Sequence, residues 1–450
     1  MEIENSNSIK PAKRTFSPGI KLLLLAVMAL VLLIPQVFID LLVDSRQEYS
    51  EEVQSSIAQS WGTEQSVRPI WLSVLVEKTS FFDEDEEEDN RRDKNRFVAH
   101  FQVDSVKMNV EMTTQTRYRG FYSAVLYRAK IHVEGYIDPE CIETPITYDG
   151  NSYRIASSKG VISTSIREPL GLKSNLVVTM GGKEYRLAAS NAPSLFDDGK
   201  TFSAPIDLRL DSLGKFSYSY ELNGHKDLLF YVQADATDVN LKLHYASPSF
   251  SGDFLPDERT ISDSVTTAHW TLFSSASTFS KVTVKERDRR YYDYDEASPR
   301  YFSVSTQFTD VYYRAIERSL KYAILIIVFT FLTFFFTDTL SKTNMPMIGY
   351  LLAGCAILLF YTLLLSISEY LAFGWAYLIS CFAIIGMIGV YFWSFVRSIK
   401  ATMVCVGILV ILYLFLYLIL QMDTFPLLVG SIFLFIVLGI VMYLSRKLTW

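Results

Sequence analysis

The chain has 450 residues, half of them hydrophobic, and a formal net charge of −6. That length accommodates an extramembrane domain together with a helix bundle. So small and negative a charge, with no basic stripe, argues against nucleic acid as a partner.

Residues 1–19 are polar and carry Lys10, Lys13 and Arg14. Ile20–Val43 is the first apolar stretch, opened by Lys21. A helix needs about 20 apolar residues to cross the hydrocarbon core. The sequence after the stretch's core, Pro35-Gln36-Val37-Phe38-Ile39, lacks the small-x-small pattern of a signal-peptide cleavage site, so the stretch reads as an uncleaved transmembrane anchor. Asp44–Ser60 is polar and follows directly, and it is expected to continue the helix beyond the membrane.

Residues 44–319 contain no membrane-length apolar run and read as a mostly-β domain. Val106, Met108, Val110 and Met112 alternate with Lys107, Asn109 and Glu111. The same period of two recurs at Tyr127–Val133, Phe216–Leu222 and Val239–Tyr245, as expected of half-buried antiparallel strands. Turn clusters at Asp149-Gly150-Asn151, Gly181-Gly182 and Asp197-Asp198-Gly199 separate the runs. Roughly ten to fourteen strands are expected, as a β-sandwich or two stacked β-subdomains. The acidic run Asp83–Asp89 reads as a solvated hairpin tip. The alternative, a weak divalent-cation site, lacks the spacing and turn glycine of an EF-hand loop. Asp310–Leu320 reads as a helix leading into the next span.

Five further spans are predicted in residues 320–444: Leu320–Thr337, Met347–Ser368, Trp375–Val396, Met403–Leu420 and Pro426–Leu444. The fold class is therefore a membrane protein with an N-terminal anchor, a large β domain and a C-terminal bundle of five helices. Lysine and arginine in the short loops set the orientation. Lys342, Arg397, Lys400, Arg446 and Lys447 fall on the side of the N-terminal tail, whereas Glu369–Gly374 and Gln421–Phe425 carry no Lys or Arg. Both termini, including the tail 445–450, are thus expected in the cytoplasm and the β domain outside, which in a Gram-negative cell is the periplasm. Gly349, Gly354, Gly386 and Gly389 are expected to let helices pack closely.

Signals of chemistry are sparse. Three of the four cysteines lie in apolar spans and Cys141 alone lies in the β domain, which leaves no cysteine metal site there. The five histidines show no i, i+2 or i, i+4 pair, and no nucleophile elbow, zinc helix or phosphate loop occurs. No cofactor or metal is expected. The charged residues Asp338, Glu369 and Asp423 all sit at span ends. Ser368 and Glu369, at the mouth of a span, are candidates for a polar contact between bundle and domain.

Four segments carry a resemblance to a known family. They are FSPGIKLLLLAVMALVLLIPQVFIDLLVDSRQEY at the anchor, Arg117–Tyr127 (RYRGFYSAVLY), Ser247–Pro256 (SPSFSGDFLP) followed by His269-Trp270, and YLLAGCAILLFYTLLLSISEYLAFGWAYLIS in the bundle. Together and in this order they resemble the CreD family of bacterial inner-membrane proteins. The family pattern often has His after the bundle glutamate, where this chain has Tyr370. The resemblance implies an effect on cell-envelope integrity and colicin tolerance, expression under an envelope or carbon-source stress response, and no enzymatic activity. Within the matching strings, Arg119, Tyr122, Phe250 and Phe254 are candidate partner contacts. Phe250 and Phe254 form either a contact loop or a buried corner.

The favoured reading is a non-enzymatic envelope protein whose β domain contacts an envelope protein or lipid. A transporter or lipid-handling channel, and a membrane-bound envelope hydrolase, are the alternatives. The lipid bilayer is the one partner that the hydropathy pattern itself demands.

Overall fold

The computed structural model describes residues 18–79, 96–120, 122–143, 145–190, 199–276, 280–286, 300–306, 311–340, 345–422 and 426–446. The N-terminal tail, the acidic run Asp83–Asp89 and Asp423 lie outside the described residues. The chain divides into two units, Met1–Ser50 with Thr309–Trp450, and Glu51–Phe308.

In the first unit the anchor is longer than the hydrocarbon core requires. Helical structure runs over Gly19–Gln59, 41 residues, or roughly 60 Å at 1.5 Å per residue. A local break at Leu32 separates the helices Pro18–Val31 and Leu33–Gln59. Pro35 explains it, because proline has no N–H to donate to the carbonyl of Val31, four residues earlier.

Three later helices are long and apolar enough to span: Met347–Ser368, Phe373–Val396 and Ile399–Gln421. The expected span at Leu320–Thr337 is a bent pair, Val311–Lys321 and Ala323–Leu340, with an angle of 48° at the join. At the bend the N–H of Tyr322 donates to Ser319, three residues back rather than four, so the turn is tightened. The last helix, Pro426–Ser445, has a shorter apolar stretch, Leu428–Tyr443. Phe382 and Phe435 are 85% and 79% exposed. Large apolar side chains presented outward in such density belong against lipid rather than water.

Inside this unit the helices meet through small residues and aromatic rings. A Cβ on Gly354 would lie 2.2 Å from Leu32, so glycine is what allows the anchor to approach Met347–Ser368. Gly386 departs from the expectation, since a Cβ there would meet nothing within 4 Å. Phe360 packs edge-on against Tyr361, Tyr377 and Tyr413, and the Tyr377 hydroxyl donates to the Tyr413 carbonyl at 2.7 Å.

The second unit is built of three sheets, with eight, seven and four strands among the described residues. This exceeds the expected strand number because pieces as short as Gln65–Val67 and Ala188–Ala189 leave no periodic trace in the sequence. The eight-stranded sheet has the order Glu258–Ile261, Thr266–Phe273, Ala234–His244, Val103–Arg119, Tyr122–Ile137, Gly214–His225, Val177–Met180 and Lys183–Arg186. Its centre is a 17- and 16-residue hairpin, Val103–Arg119 with Tyr122–Ile137. Two pairings depart from the antiparallel expectation: Ala234–His244 runs parallel to Val103–Arg119, and in the four-stranded sheet Gln65–Val67 runs parallel to Asp227–Tyr231.

Each alternation read from the sequence does place one apolar face inward. Met108, Val110, Ile131, Val133, Tyr218, Tyr220, Val239 and Leu241 all enter a single large core. Aromatic rings extend that core into the four-stranded sheet, where Trp270 stacks on Phe302 and Phe302 on Phe230, with centroids 4.6 and 5.1 Å apart.

Candidate functional site

The outward face of the eight-stranded sheet is a groove of about 1190 Å³. Strand twist makes a wide sheet concave, and the outward phase of each strand supplies polar side chains. Register stacks them in rows across the strands. One row reads Lys242, Glu111, Lys130, Glu221, with alternating charge. Lys242 lies 3.7 Å from Glu111 and Lys130 lies 3.9 Å from Glu221. The next row reads His269, Asn240, Asn109, His132, Ser219.

Two of the five histidines, His132 and His269, line this groove, and His244 stands beside its Glu111, each against a carboxylate. His132 Nε2 is 3.1 Å from Glu134, His244 Nε2 3.4 Å from Glu111, and His269 Nε2 3.0 Å from Asp238. His132 also meets a hydroxyl, its Nδ1 lying 2.7 Å from Ser219 Oγ. These exposed pairs contribute little to stability. Their chemical value is a patterned display of donors and acceptors. No group of three or more His, Cys, Asp or Glu is placed to hold a metal ion among the described residues.

The groove continues along the same face into a second hollow of about 630 Å³, past Lys107, Glu134 and Asp238. Tyr136 and Phe273 line that end, 38% and 62% exposed. At the opposite end the hairpin tip is covered. Tyr122, Ala124 and Leu126 are buried against Val53 and Ile57, from the last turns of the helix Leu33–Gln59. Trp61 follows that helix, and its indole N–H donates to the Tyr127 carbonyl at 3.1 Å. Arg117 and Arg128 lie over the Trp61 ring, 5.9 and 5.8 Å from its centre.

This geometry relocates the residues singled out in the sequence. Arg119 donates to the Ser56 hydroxyl at 2.5 Å, and Tyr122 is buried beneath the helix. Both hold the hairpin tip to the helix end. Phe250 is half-buried and packs edge-on against Trp270 at 5.7 Å, and Phe254 also packs on the core. The Ser368 hydroxyl donates to Leu365 of its own helix at 2.9 Å, and Glu369 is that helix's half-buried C-cap. None of these six lines the groove. The groove residues were visible as the polar phase of the strands, but only register brings their charges into rows.

The other two histidines lie elsewhere. His100 accepts or donates through Nδ1 to the Ser73 hydroxyl at 2.8 Å, and burial, assisted by Lys285, lowers its pKa to about 4. Burial likewise lowers the pKa of His225. Cys141 is pushed up to about 12 by burial and then by Asp104 and Asp138. It is no candidate nucleophile.

The membrane unit holds one polar feature that the sequence did not reveal. Lys21, at the start of the anchor, is ion-paired with Asp338, at the end of Ala323–Leu340. The Asp338 side chain is 2% exposed and accepts a second bond from the Met345 N–H at 3.0 Å. Lys21 also lies over the Tyr350 ring, 5.2 Å from its centre. Each residue was legible as a charge at a span end, but nothing local couples positions so far apart in the chain.

Comparison with known proteins matches residues 17–450 to the model of the family described as inner membrane protein CreD. The chain belongs to the CreD family. It is 26% identical over 427 residues to the inner membrane protein CreD of Escherichia coli (strain K12), covering 94% of this chain and 91% of the relative. Among solved structures it is similar to an M1 zinc metallopeptidase from Deinococcus radiodurans, at 10% identity and a TM-score of 0.20, over 38% of each chain. A two-domain M1 zinc metallopeptidase gives 10% identity and a TM-score of 0.21, over 46% of this chain and 42% of that one. These likenesses are too slight to carry an argument about fold or chemistry. Membership of an inner-membrane family agrees with the outward-facing apolar helices.

Proposed function

We propose that this CreD-family chain is a non-enzymatic envelope-integrity protein whose β domain binds another envelope protein through the polar groove of the eight-stranded sheet. The domain lies in the periplasm and both termini lie in the cytoplasm, in keeping with the distribution of Lys and Arg over the short loops. The observation that carries the reading is the alternating row Lys242, Glu111, Lys130, Glu221, flanked by the amide and hydroxyl groups of Asn240, Asn109 and Ser219. Such a pattern selects a partner by complementary charge and register, which gives specificity more than raw affinity. Tyr136 and Phe273 supply the aromatic surface that interfaces favour.

The test is photo-crosslinking in living cells from a probe amino acid at Asn109, Ser219 or Asn240. The expected result is one recurring envelope protein, lost when Lys130→Glu and Glu111→Lys are introduced together. Capture that persists in this variant, or no recurring species at all, would overturn the reading. Lipid handling is the second reading, favoured by an apolar groove between helices of the membrane unit. At about 160 Å³ that groove is smaller than a ligand pocket of ordinary size and suits part of one chain rather than a conduit.

A further inference from the structure

We propose that this apolar groove and the basic face of the helix before it form one site for an anionic glycerophospholipid. Val311–Lys321 is strongly amphipathic: Tyr313, Ile316 and Leu320 are buried, whereas Arg314, Arg318 and Lys321 are exposed. The three cations stand at i, i+4 and i+7, which is one stripe of a helix. The helix's acid, Glu317, is half-buried and borders the stripe, three residues after Arg314 and four before Lys321, so this face keeps a net charge of +2. A helix of this kind lies in the interface, with its basic side toward lipid headgroups.

The 48° bend comes directly after Lys321, and the chain then enters the apolar helix Ala323–Leu340. The first residues past the basic stripe, Tyr322 and Leu325, line the groove. Phe415, Ile419, Gly430 and Leu434 from the last two helices complete it. Its exposed wall is almost wholly apolar, and it opens where the neighbouring side chains face lipid. A phosphate at the stripe and an acyl chain in the groove therefore belong to one molecule. Lys321, the last cation of the stripe, directly precedes Tyr322 of the groove wall. A neutral lipid would satisfy the groove alone, and inorganic phosphate the stripe alone. The coincidence of the two selects a lipid with a negatively charged head. Gly430 keeps the groove open, since a Cβ there would meet nothing within 4 Å.

The experiment is native mass spectrometry of the full-length protein in detergent, with equal additions of phosphatidylglycerol and phosphatidylcholine. Each basic residue near such a surface is worth about 1 kcal/mol, so a preference for phosphatidylglycerol of about tenfold or more is expected. Replacing Arg314, Arg318 and Lys321 together by Gln should bring the ratio close to one while both lipids still bind. Gly430→Leu, which fills the groove without touching the stripe, should lower retention of both lipids by about tenfold. Excess inorganic phosphate should not displace the lipid. Equal binding of the two lipids by the unaltered protein would overturn the proposal. So would an unchanged ratio in the triple variant, or unchanged retention in Gly430→Leu.

Discussion

Removing one partner of the Lys21–Asp338 pair should destabilise the membrane unit far more than removing both. The Asp338 side chain is 2% exposed and that of Lys21 15%, so neither charge can recover much solvation once the other is gone. A buried charge stripped of its partner costs about 3–5 kcal/mol. Lys21→Met strips the buried Asp338 carboxylate of its cation, which the Met345 N–H cannot replace, and also removes the cation from the Tyr350 ring. Asp338→Leu leaves Lys21 with no carboxylate and releases the Met345 N–H. Each single variant should lower the unfolding midpoint in a fixed detergent by roughly 6–10 °C, at about 2 °C per kcal/mol. Lys21→Met with Asp338→Leu replaces the pair by apolar groups, a change that is often nearly neutral. The coupling free energy from this double-mutant cycle should therefore reach about 2 kcal/mol or more. Single costs that simply add, to within about 0.5 kcal/mol, would refute the argument.

His100 is held neutral in the folded domain, with its pKa near 4 against 6.5 when unfolded. As pH falls from 6.5 toward 4 the unfolded chain takes up the proton first, so stability is lost in that window, by about 3 kcal/mol in all. Denaturant titrations at stepped pH should show the slope, and His100→Asn should flatten it. Cys141, with a pKa near 12, should react with iodoacetamide at pH 7.5 at least about 1000-fold more slowly than an exposed thiol, in a protein whose other three cysteines are serine. A Cβ on Gly224 would lie 2.3 Å from the Tyr127 ring, so Gly224→Ala should cost about 1–3 kcal/mol by denaturant unfolding. Phe250→Ala removes the edge-on contact with Trp270 and should cost about 2 kcal/mol. No change in unfolding midpoint would mark Phe250 instead as a surface contact.

The parts of the fold legible in the sequence are those that depend on local periodicity. Runs of about 20 apolar residues gave the spans, and alternation such as Val106–Met112 gave the hairpin and its inward face. The helix beyond the anchor was visible because a polar stretch with no Gly or Pro follows an apolar one without interruption. Pairings between distant strands were not legible. The parallel alignment of Ala234–His244 with Val103–Arg119 depends on topology, which strand periodicity does not encode. Arg119 and Tyr122 stood out within a matching string, yet their place against Ser56, Val53 and Ile57 comes from packing by a segment some sixty residues earlier. The charged row of the groove has the same origin, since its four members come from four strands.

The parallel pairing at the sheet's centre also sets the order in which the domain can assemble. Val103–Arg119 and Tyr122–Ile137 close as a local hairpin as soon as both have been synthesised. The hairpin's other edge must wait for Ala234–His244, more than a hundred residues later. Until then the edge of Val103–Arg119 keeps unpaired N–H and C=O groups, and Met108 and Val110 lack their cover from Val239 and Leu241. Contacts of such sequence separation close slowly, which makes this half-built sheet the species most exposed to misassembly during folding.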